Sequence, residues 1–182
     1  IEANLRDVQA AIDTACTAHG RSRSEVTLIA VTKTFPASDV AHLAALGITD
    51  VGENKDQEAR AKREEYLRID PAHPLRWHLI GQLQRNKAKS VAAYADMVHS
   101  VDRVALADAL DKACLSLGRR LPVLLQVDLE SGADPERGGV RPDELMPLAD
   151  HVQKSSSLEL AGLMAVAPLN ERPTSAFARL AA

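Results

Sequence analysis

Polar residues stand at or near the ends of the short apolar runs in this sequence, where β-strands would end. They are Lys33, Glu53, Asn54, His78, His99, Asp102, Asp128 and Glu130. In a parallel β-barrel, side chains at the carboxyl ends of the strands surround the active site. The pattern therefore predicts a single site assembled from several strand ends.

Lys33 has the residue type with the most specific chemistry. Strand alternation puts it on the same face as Ile29 and Val31, with no acidic residue close by in the sequence. We therefore expect it to point inward, where removal from water lowers the pKa of an ammonium and favours the neutral amine that attacks aldehydes. A lysine that simply extends into solvent from a strand end fits the same pattern at least as well.

The histidines give weaker signals. His78 shares a strand face with Ile80, so it would either contact a ligand or serve as a core histidine satisfied by a backbone partner. No two of the six histidines have HxxxH spacing, and the cysteines lack CxxC or Cys/His spacing, which disfavours a metal site. No Ser-His-Asp arrangement can be inferred from the sequence.

Three polar segments have ordinary structural interpretations. Residues 56–68 alternate in charge sign with opposite charges four residues apart, which indicates a solvated helix face. Residues 84–89 are basic but lack interleaved aromatic residues, so a solvated helix start is favoured over a phosphate or nucleic-acid contact. Residues 137–139 are interpreted as a loop, with an anion-binding nest as the alternative.

The elements that would position these residues alternate between strands and helices. Strand-like runs occupy residues 27–33, 49–54, 77–81, 97–101, 122–129 and 158–166. An amphipathic stripe predicts a first helix that ends before Gly20, and Asp102 is a candidate N-cap for a helix that ends at Gly118. Strands that are apolar throughout and alternate with helices indicate a parallel sheet covered on both faces.

Motifs and length narrow the α/β fold. Neither a GxGxxG nor a Walker motif follows a strand. A (β/α)8 barrel with this strand spacing would need about 230–250 residues, whereas the chain has 182. The sequence therefore predicts one domain over residues 1–182 that lacks the last two βα units if it is a barrel.

Composition excludes several classes of protein. The net charge is −3, so no overall positive field would attract nucleic acid or anionic membranes. No apolar run approaches the roughly 18 residues of a membrane span, and residues 1–20 lack a basic leader. With only two distant cysteines, the chain is expected to be a cytoplasmic protein.

Four motifs resemble the pyridoxal phosphate homeostasis protein family. They are LIAVTKT at residues 28–34, GEN at 52–54, WHLIGQLQRNK at 77–87 and GLMA at 162–165. The resemblance spans essentially the whole chain and favours a TIM-type barrel like the N-terminal domain of alanine racemase over an open sheet. It implies pyridoxal 5′-phosphate held as a Schiff base on Lys33, with Asn54, His78 and Met164 lining the pocket.

The resemblance also implies a function. Family members look like carriers or buffers of the cofactor in vitamin B6 and amino-acid balance, without an established reaction, and apo enzymes that use the cofactor would be possible recipients. A monomer or weak dimer is expected. The C-terminal strands that hold the phosphate in the family have no counterpart here, so the barrel is expected to be C-terminally incomplete.

Two alternatives stay open at this point. The first is a pyridoxal phosphate-dependent amino-acid racemase or lyase, although a second acid would be needed and the only tyrosines, Tyr66 and Tyr94, fall in predicted helices. The second is a nucleic-acid-binding module that uses residues 85–89, which would bind in a salt-sensitive way and form no chromophore.

Overall fold

Six parallel strands form one sheet in which spatial order follows chain order. The computed structural model describes residues 1–130 and 138–181. The strands are β1 (Ala30–Val31), β2 (Asp50–Glu53), β3 (Arg76–Leu79), β4 (Met97–Val101), β5 (Leu121–Gln126) and β6 (Leu158–Met164). All six strand-like runs of the sequence are thus confirmed, each shortened or shifted at its ends except β4.

Helices follow every strand, and one more precedes β1. They are α1 (Glu2–Ala18), α2 (Ala37–Ala45), α3 (Asp56–Ile69), α4 (Ala88–Tyr94), α5 (Val104–Ser116), α6 (Pro142–Gln153) and α7 (Pro173–Ala181), with 3-10 turns at Arg23–Glu25 and Arg85–Lys87. Every β-to-β crossover therefore contains a helix, as parallel pairing requires. Within the described part of the chain, no helix is long and apolar enough to cross a membrane.

The core lies between the sheet and its helices. One face of the strands packs there, with Val51, Trp77, Val98 and Leu125 almost completely buried. Tyr66 of α3 meets Trp77 of β3 with ring centroids 6.0 Å apart. Burying such aromatic side chains removes about 150–250 Å² each from water, so this contact helps to attach α3 to the sheet.

The inner face of the sheet is tightly packed where β1, β2 and β3 meet. A Cβ atom added to Gly52 would lie 3.2 Å from an Ile80 methyl carbon and 3.3 Å from one of Ile29. The absence of a side chain at this position therefore lets these strands bring their inward residues together. The described residues supply six strands of the (β/α)8 barrel expected from the sequence, and β1 and β6 form its two edges.

Two local expectations have different outcomes. The helix start expected at residues 84–89 is confirmed by the 3-10 turn that leads into α4. The proposed Asp102 cap is wrong, because α5 has Arg103 at its N-cap and no side-chain cap hydrogen bond. Asp102 instead forms an ion pair with Arg103, whose guanidinium also donates to the Leu83 carbonyl. The loop expected at residues 137–139 is described only in part, because Arg137 lies outside the described residues.

Candidate functional site

Lys33 lies in the turn that follows β1, at the carboxyl end of the sheet. Its side chain is exposed, and within residues 1–130 and 138–181 it has no hydrogen-bond or ion-pair partner. The expectation that it is buried is therefore wrong. β1 pairs only with β2 among the described strands, and Val31 on the same face is likewise 49% exposed.

The residue before Lys33 is held by a buried network beneath α3. The Lys62 ammonium donates to the main-chain carbonyl of Thr32 and to a Glu53 carboxylate oxygen, both at 2.6 Å. The Thr32 hydroxyl donates to the same carboxylate oxygen at 2.7 Å. Because Glu53 and Lys62 are almost fully buried, this pair is shielded from water and fixes the end of β1 against α3.

The residue after Lys33 is held by a second contact with α3. The Thr34 amide donates to a Glu58 carboxylate oxygen at 2.6 Å. Thr34 has φ +69°, a left-handed conformation that a β-branched residue rarely adopts. The hydrogen bond from the Thr34 amide is the main cause that lowers the pKa of Glu58. The Lys62 ammonium lowers it further. The Lys33 side chain is thus free, while its main chain is fixed on both sides.

A chain of three titratable side chains crosses the inner face of β2, β3 and β4. His78 Nε2 lies 2.8 Å from an Asp50 carboxylate oxygen, and His78 Nδ1 lies 2.9 Å from His99 Nε2. Arg76 reaches Asp50 from the amino end of β3 with two contacts of 2.8 Å. Both nitrogens of His78 are therefore engaged by protein groups.

Electrostatics determine the protonation of this chain. Burial, and to a lesser extent the neighbouring His78, lowers the pKa of His99 to about 4. Burial would raise the pKa of Asp50, but hydrogen bonds from Arg76, Thr49 and His78 outweigh it and lower the pKa. At neutral pH His99 is therefore neutral and Asp50 is ionised, so the Asp50 carboxylate can accept a hydrogen bond from His78 Nε2.

Asn54 follows β2 next to the turn after β3. A Cβ atom on Gly81 would lie 2.3 Å from the Asn54 carbonyl oxygen, so a glycine is required for this close approach. Asn54 also lines a cavity of about 590 Å³ bounded by the first turn of α3, Leu83 and Arg103. It lies on the carboxyl side of the sheet, where a parallel α/β fold binds ligands.

The four residues that the sequence singled out are only partly brought together. Val31 pairs with Gly52 and Gly52 with His78, so Lys33, Asn54 and His78 belong to neighbouring strands. Met164 ends β6, at the opposite edge of the sheet from Lys33. In the described residues, no group of three or more His, Cys, Asp or Glu side chains could hold a metal ion.

The sequence interpretation missed Lys62, Glu58 and Asp50. The alternating charges of α3 indicated a solvated face, yet Lys62 is almost fully buried. A signal was present, because Lys62 lies three residues after Ala59 and four before Tyr66, and both are buried. The role of Asp50 depends on strand register, which has no signal in the residue types.

Sequence comparison identifies the relatives of this chain. The family described as "Alanine racemase, N-terminal domain" matches residues 3–181. A pyridoxal phosphate homeostasis protein of Mycobacterium bovis is 41% identical over 191 residues, covering 97% of this chain and 73% of that protein. One of Pseudomonas aeruginosa is 40% identical and covers 99% of this chain and 77% of that protein.

Comparison with solved structures agrees with the sequence comparison. PipY of Synechococcus elongatus PCC7942, determined with PLP bound, has a TM-score of 0.78 and 35% identity, covering 93% of this chain and 76% of PipY. A protein of unknown function from Bifidobacterium adolescentis has a TM-score of 0.89 and 28% identity, covering 99% of this chain and 76% of that one. Alanine racemase of Clostridium difficile 630, at a TM-score of 0.64 and 16% identity over 86% of this chain and 40% of the enzyme, shares the fold. This chain therefore belongs to the alanine racemase N-terminal domain family, among the pyridoxal phosphate homeostasis proteins.

Proposed function

We propose that this protein binds pyridoxal 5′-phosphate through Lys33 and serves as a carrier or buffer of the cofactor. The observation that carries the proposal is the Lys33 amine, which is exposed and has no protein partner within the described residues, while its main chain is held by α3 on both sides. The family membership and the PLP-bound structure of PipY support the choice of ligand.

The residues of the site fit this cofactor in chemical terms. Bound there, pyridoxal phosphate supplies an aldehyde that a neutral lysine amine converts reversibly into a Schiff base with loss of one water molecule. Lys33 provides the amine at the carboxyl end of β1, and Asn54 offers an amide at the neighbouring strand end. His78 is held in one orientation by Asp50 and His99. We propose Asn54, His78 and Met164 as the lining of the pocket.

Carriage requires that the cofactor can leave again. A Schiff base would form reversibly, so the aldehyde could be released to water or passed to the amine of a recipient. A racemase needs an acid on the opposite side of its substrate, but Tyr66 of α3 and Tyr94 of α4 are both buried. We infer that apo enzymes receive the cofactor in the cytoplasm and that the carrier acts as a monomer or weak dimer.

The test is a cofactor titration followed by chemical trapping. The protein is mixed with pyridoxal phosphate, its visible spectrum is recorded, and borohydride reduction is followed by mass-spectrometric mapping. We expect one adduct, on Lys33, that is absent in Lys33→Ala. Lys55→Ala is the matched control, because Lys55 is also exposed and follows the neighbouring strand β2.

Other outcomes separate the alternatives. An adduct that persists in Lys33→Ala, or that is spread over many surface lysines, would show that Lys33 is not the binding residue. Steady conversion of a D- or L-amino acid by the loaded protein, lost in Lys33→Ala, would replace the carrier function by a racemase or lyase activity. A circular dichroism spectrum of each variant verifies that it is folded.

A further inference from the structure

A second cavity lies between α3 and α4, on the helical side of the sheet. We call it the α3–α4 groove, and its volume is about 560 Å³. Its lining residues are Arg60, Arg63, Glu64, Asn86, Lys89, Ser90, Ala93 and Tyr94. Lys33 and the other residues proposed for the cofactor are not among them, so the groove is a separate feature of the surface.

The charge of the groove contrasts with that of the whole protein. Three cations and one carboxylate line it, although the chain has a net charge of −3. Throughout residues 1–130 and 138–181, Arg60, Arg63 and Lys89 have neither a hydrogen bond nor an ion pair with a protein group. Three uncompensated cations around one concavity attract an anion.

Two polar atoms buried at this groove also lack partners. Arg63 Nε and the Tyr94 hydroxyl are shielded from solvent, and neither has a hydrogen-bond partner among the described residues. Leaving a buried donor without an acceptor is unfavourable, and more so when the donor is charged. An anion that enters the groove would supply the acceptor that the guanidinium lacks.

The Tyr94 hydroxyl is kept as a donor. Burial is the main cause that raises the pKa of Tyr94 well above its ordinary value, and the carboxylates of Asp56 and Glu53 raise it further. The hydroxyl therefore stays protonated. Asp56, which accepts the Ser90 hydroxyl at 2.8 Å, lies near the phenol and can accept its hydrogen bond as well. The donors that the groove offers to an anion are therefore those of its cations, Arg60, Arg63 and Lys89.

The two walls come from segments that are far apart in the sequence. Arg60 and Arg63 are three residues apart on α3, and Asn86 and Lys89 have the same spacing where the 3-10 turn leads into α4. Residues at this spacing lie on one face of a helix. The two charged segments that separately indicated solvated faces therefore meet across one groove.

We propose that the α3–α4 groove binds a small anion that carries a phosphate group. A guanidinium donates in a planar fork that matches phosphate oxygens, and Arg60 and Arg63 provide two such groups beside the Lys89 ammonium. A nucleic acid is disfavoured because the one aromatic side chain of the lining, Tyr94, is buried and cannot stack on a base. The ligand is free phosphate, pyrophosphate or the phosphate group of a metabolite.

The test is calorimetric titration of the whole chain with pyrophosphate and inorganic phosphate at low salt, with binding located by amide NMR shifts. We expect shifts at residues 60–64 and 86–94, and about tenfold weaker binding in Arg63→Gln, because a hydrogen bond to a charged group contributes about 1.5–3 kcal/mol. Arg63→Lys keeps the charge but loses the fork and should bind several-fold more weakly. Lys112→Gln on α5 is the matched control for loss of an exposed cation and should bind like the wild type.

Stability gives an independent readout that does not depend on ligand. In phosphate-free buffer, Arg63→Gln should unfold at the same or a higher temperature than the wild type, because it removes a buried donor without an acceptor. Absence of binding up to about 10 mM pyrophosphate, or binding unaffected by Arg63→Gln but lost in Lys33→Ala, would overturn the proposal. Tighter binding of single-stranded RNA than of pyrophosphate would also overturn it and indicate a nucleic-acid surface. Pyridoxal phosphate titrated into Lys33→Ala shows whether the cofactor itself is one of the metabolites bound.

Discussion

The Lys62 ammonium lies 2.6 Å from the main-chain carbonyl oxygen of Thr32, the residue that precedes Lys33. This contact crosses from α3 to the end of β1, and the same ammonium lies 2.6 Å from a Glu53 carboxylate oxygen on β2. A helix that the charge pattern alone would place in solvent thus determines where the backbone of the exposed lysine stands. The main chain around Lys33 is thus positioned by residues of the neighbouring strand and helix.

Replacing Lys62 by methionine should destabilise the fold severely. The change leaves the Glu53 carboxylate buried without its counter-ion, which in comparable pairs costs about 3–5 kcal/mol. Urea unfolding measures the difference. Lys112→Met, on an exposed position of α5, should change the free energy of unfolding by less than about 0.5 kcal/mol. A loss below about 1 kcal/mol in Lys62→Met would mean that the buried pair contributes little.

Glu58→Ala should affect the site more than the fold. Glu58 accepts the Thr34 amide but is itself partly exposed, so its removal should cost only about 1 kcal/mol. If Lys33 binds the cofactor, loss of this contact should weaken cofactor affinity several-fold, because the turn around Lys33 becomes less ordered. Glu65→Ala, an exposed residue of the same helix, is the control. Equal affinities in the two variants would contradict a positioning role for Glu58.

His99 should make stability depend on pH. Its pKa is about 4 in the folded protein and 6.5 ordinarily, so between these values the unfolded chain binds the proton more readily. The free energy of unfolding should therefore fall as the pH drops from about 6.5 to about 4, by up to about 3 kcal/mol. Unfolding curves at pH 7 and 4.5 measure this fall. In His99→Gln it should be largely absent, whereas in His19→Gln, at an exposed position after α1, it should persist.

Gly81→Ala should disturb the contact between Gly81 and Asn54. The new Cβ would lie 2.3 Å from the Asn54 carbonyl oxygen, a main-chain atom that cannot move alone. We expect a loss of about 3 kcal/mol, at the upper end of the range for overpacking, and a displaced Asn54 amide resonance in NMR spectra. Gly52→Ala is the comparison and should cost less, because its nearest contact would be 3.2 Å from an Ile80 side-chain carbon rather than a main-chain atom. Equal losses in the two variants would be inconsistent with this explanation.

The periodicity of the sequence was sufficient to predict the strands and helices. Short apolar runs gave all six strands, because a parallel sheet covered by helices needs residues that are apolar nearly throughout. The environment of Lys33 could not be predicted in this way, since it depends on how α3 holds the turn after β1 rather than on the residues of β1. Contacts between elements decided how that residue is presented.

Interactions between strands were the least predictable part of the site. Asp50, His78 and His99 form a hydrogen-bonded chain only because of the parallel register that aligns β2, β3 and β4. Residue types fix which face a side chain occupies, but not which residue of the next strand lies beside it. Lys62 is a different case. Its spacing from Ala59 and Tyr66 would have predicted burial, but the alternating charges of α3 indicated a solvated face instead.

The hold of α3 on the backbone around Lys33 has a consequence for hydrogen exchange. The Thr32 carbonyl is bound by Lys62 and the Thr34 amide by Glu58, so this turn can open only when a buried ion pair and a charged hydrogen bond are disrupted together. Its amides should therefore exchange with solvent deuterium more slowly than those of a surface turn without such contacts. A ligand would then arrive and leave through motion of the Lys33 side chain alone, while the main chain stays closed.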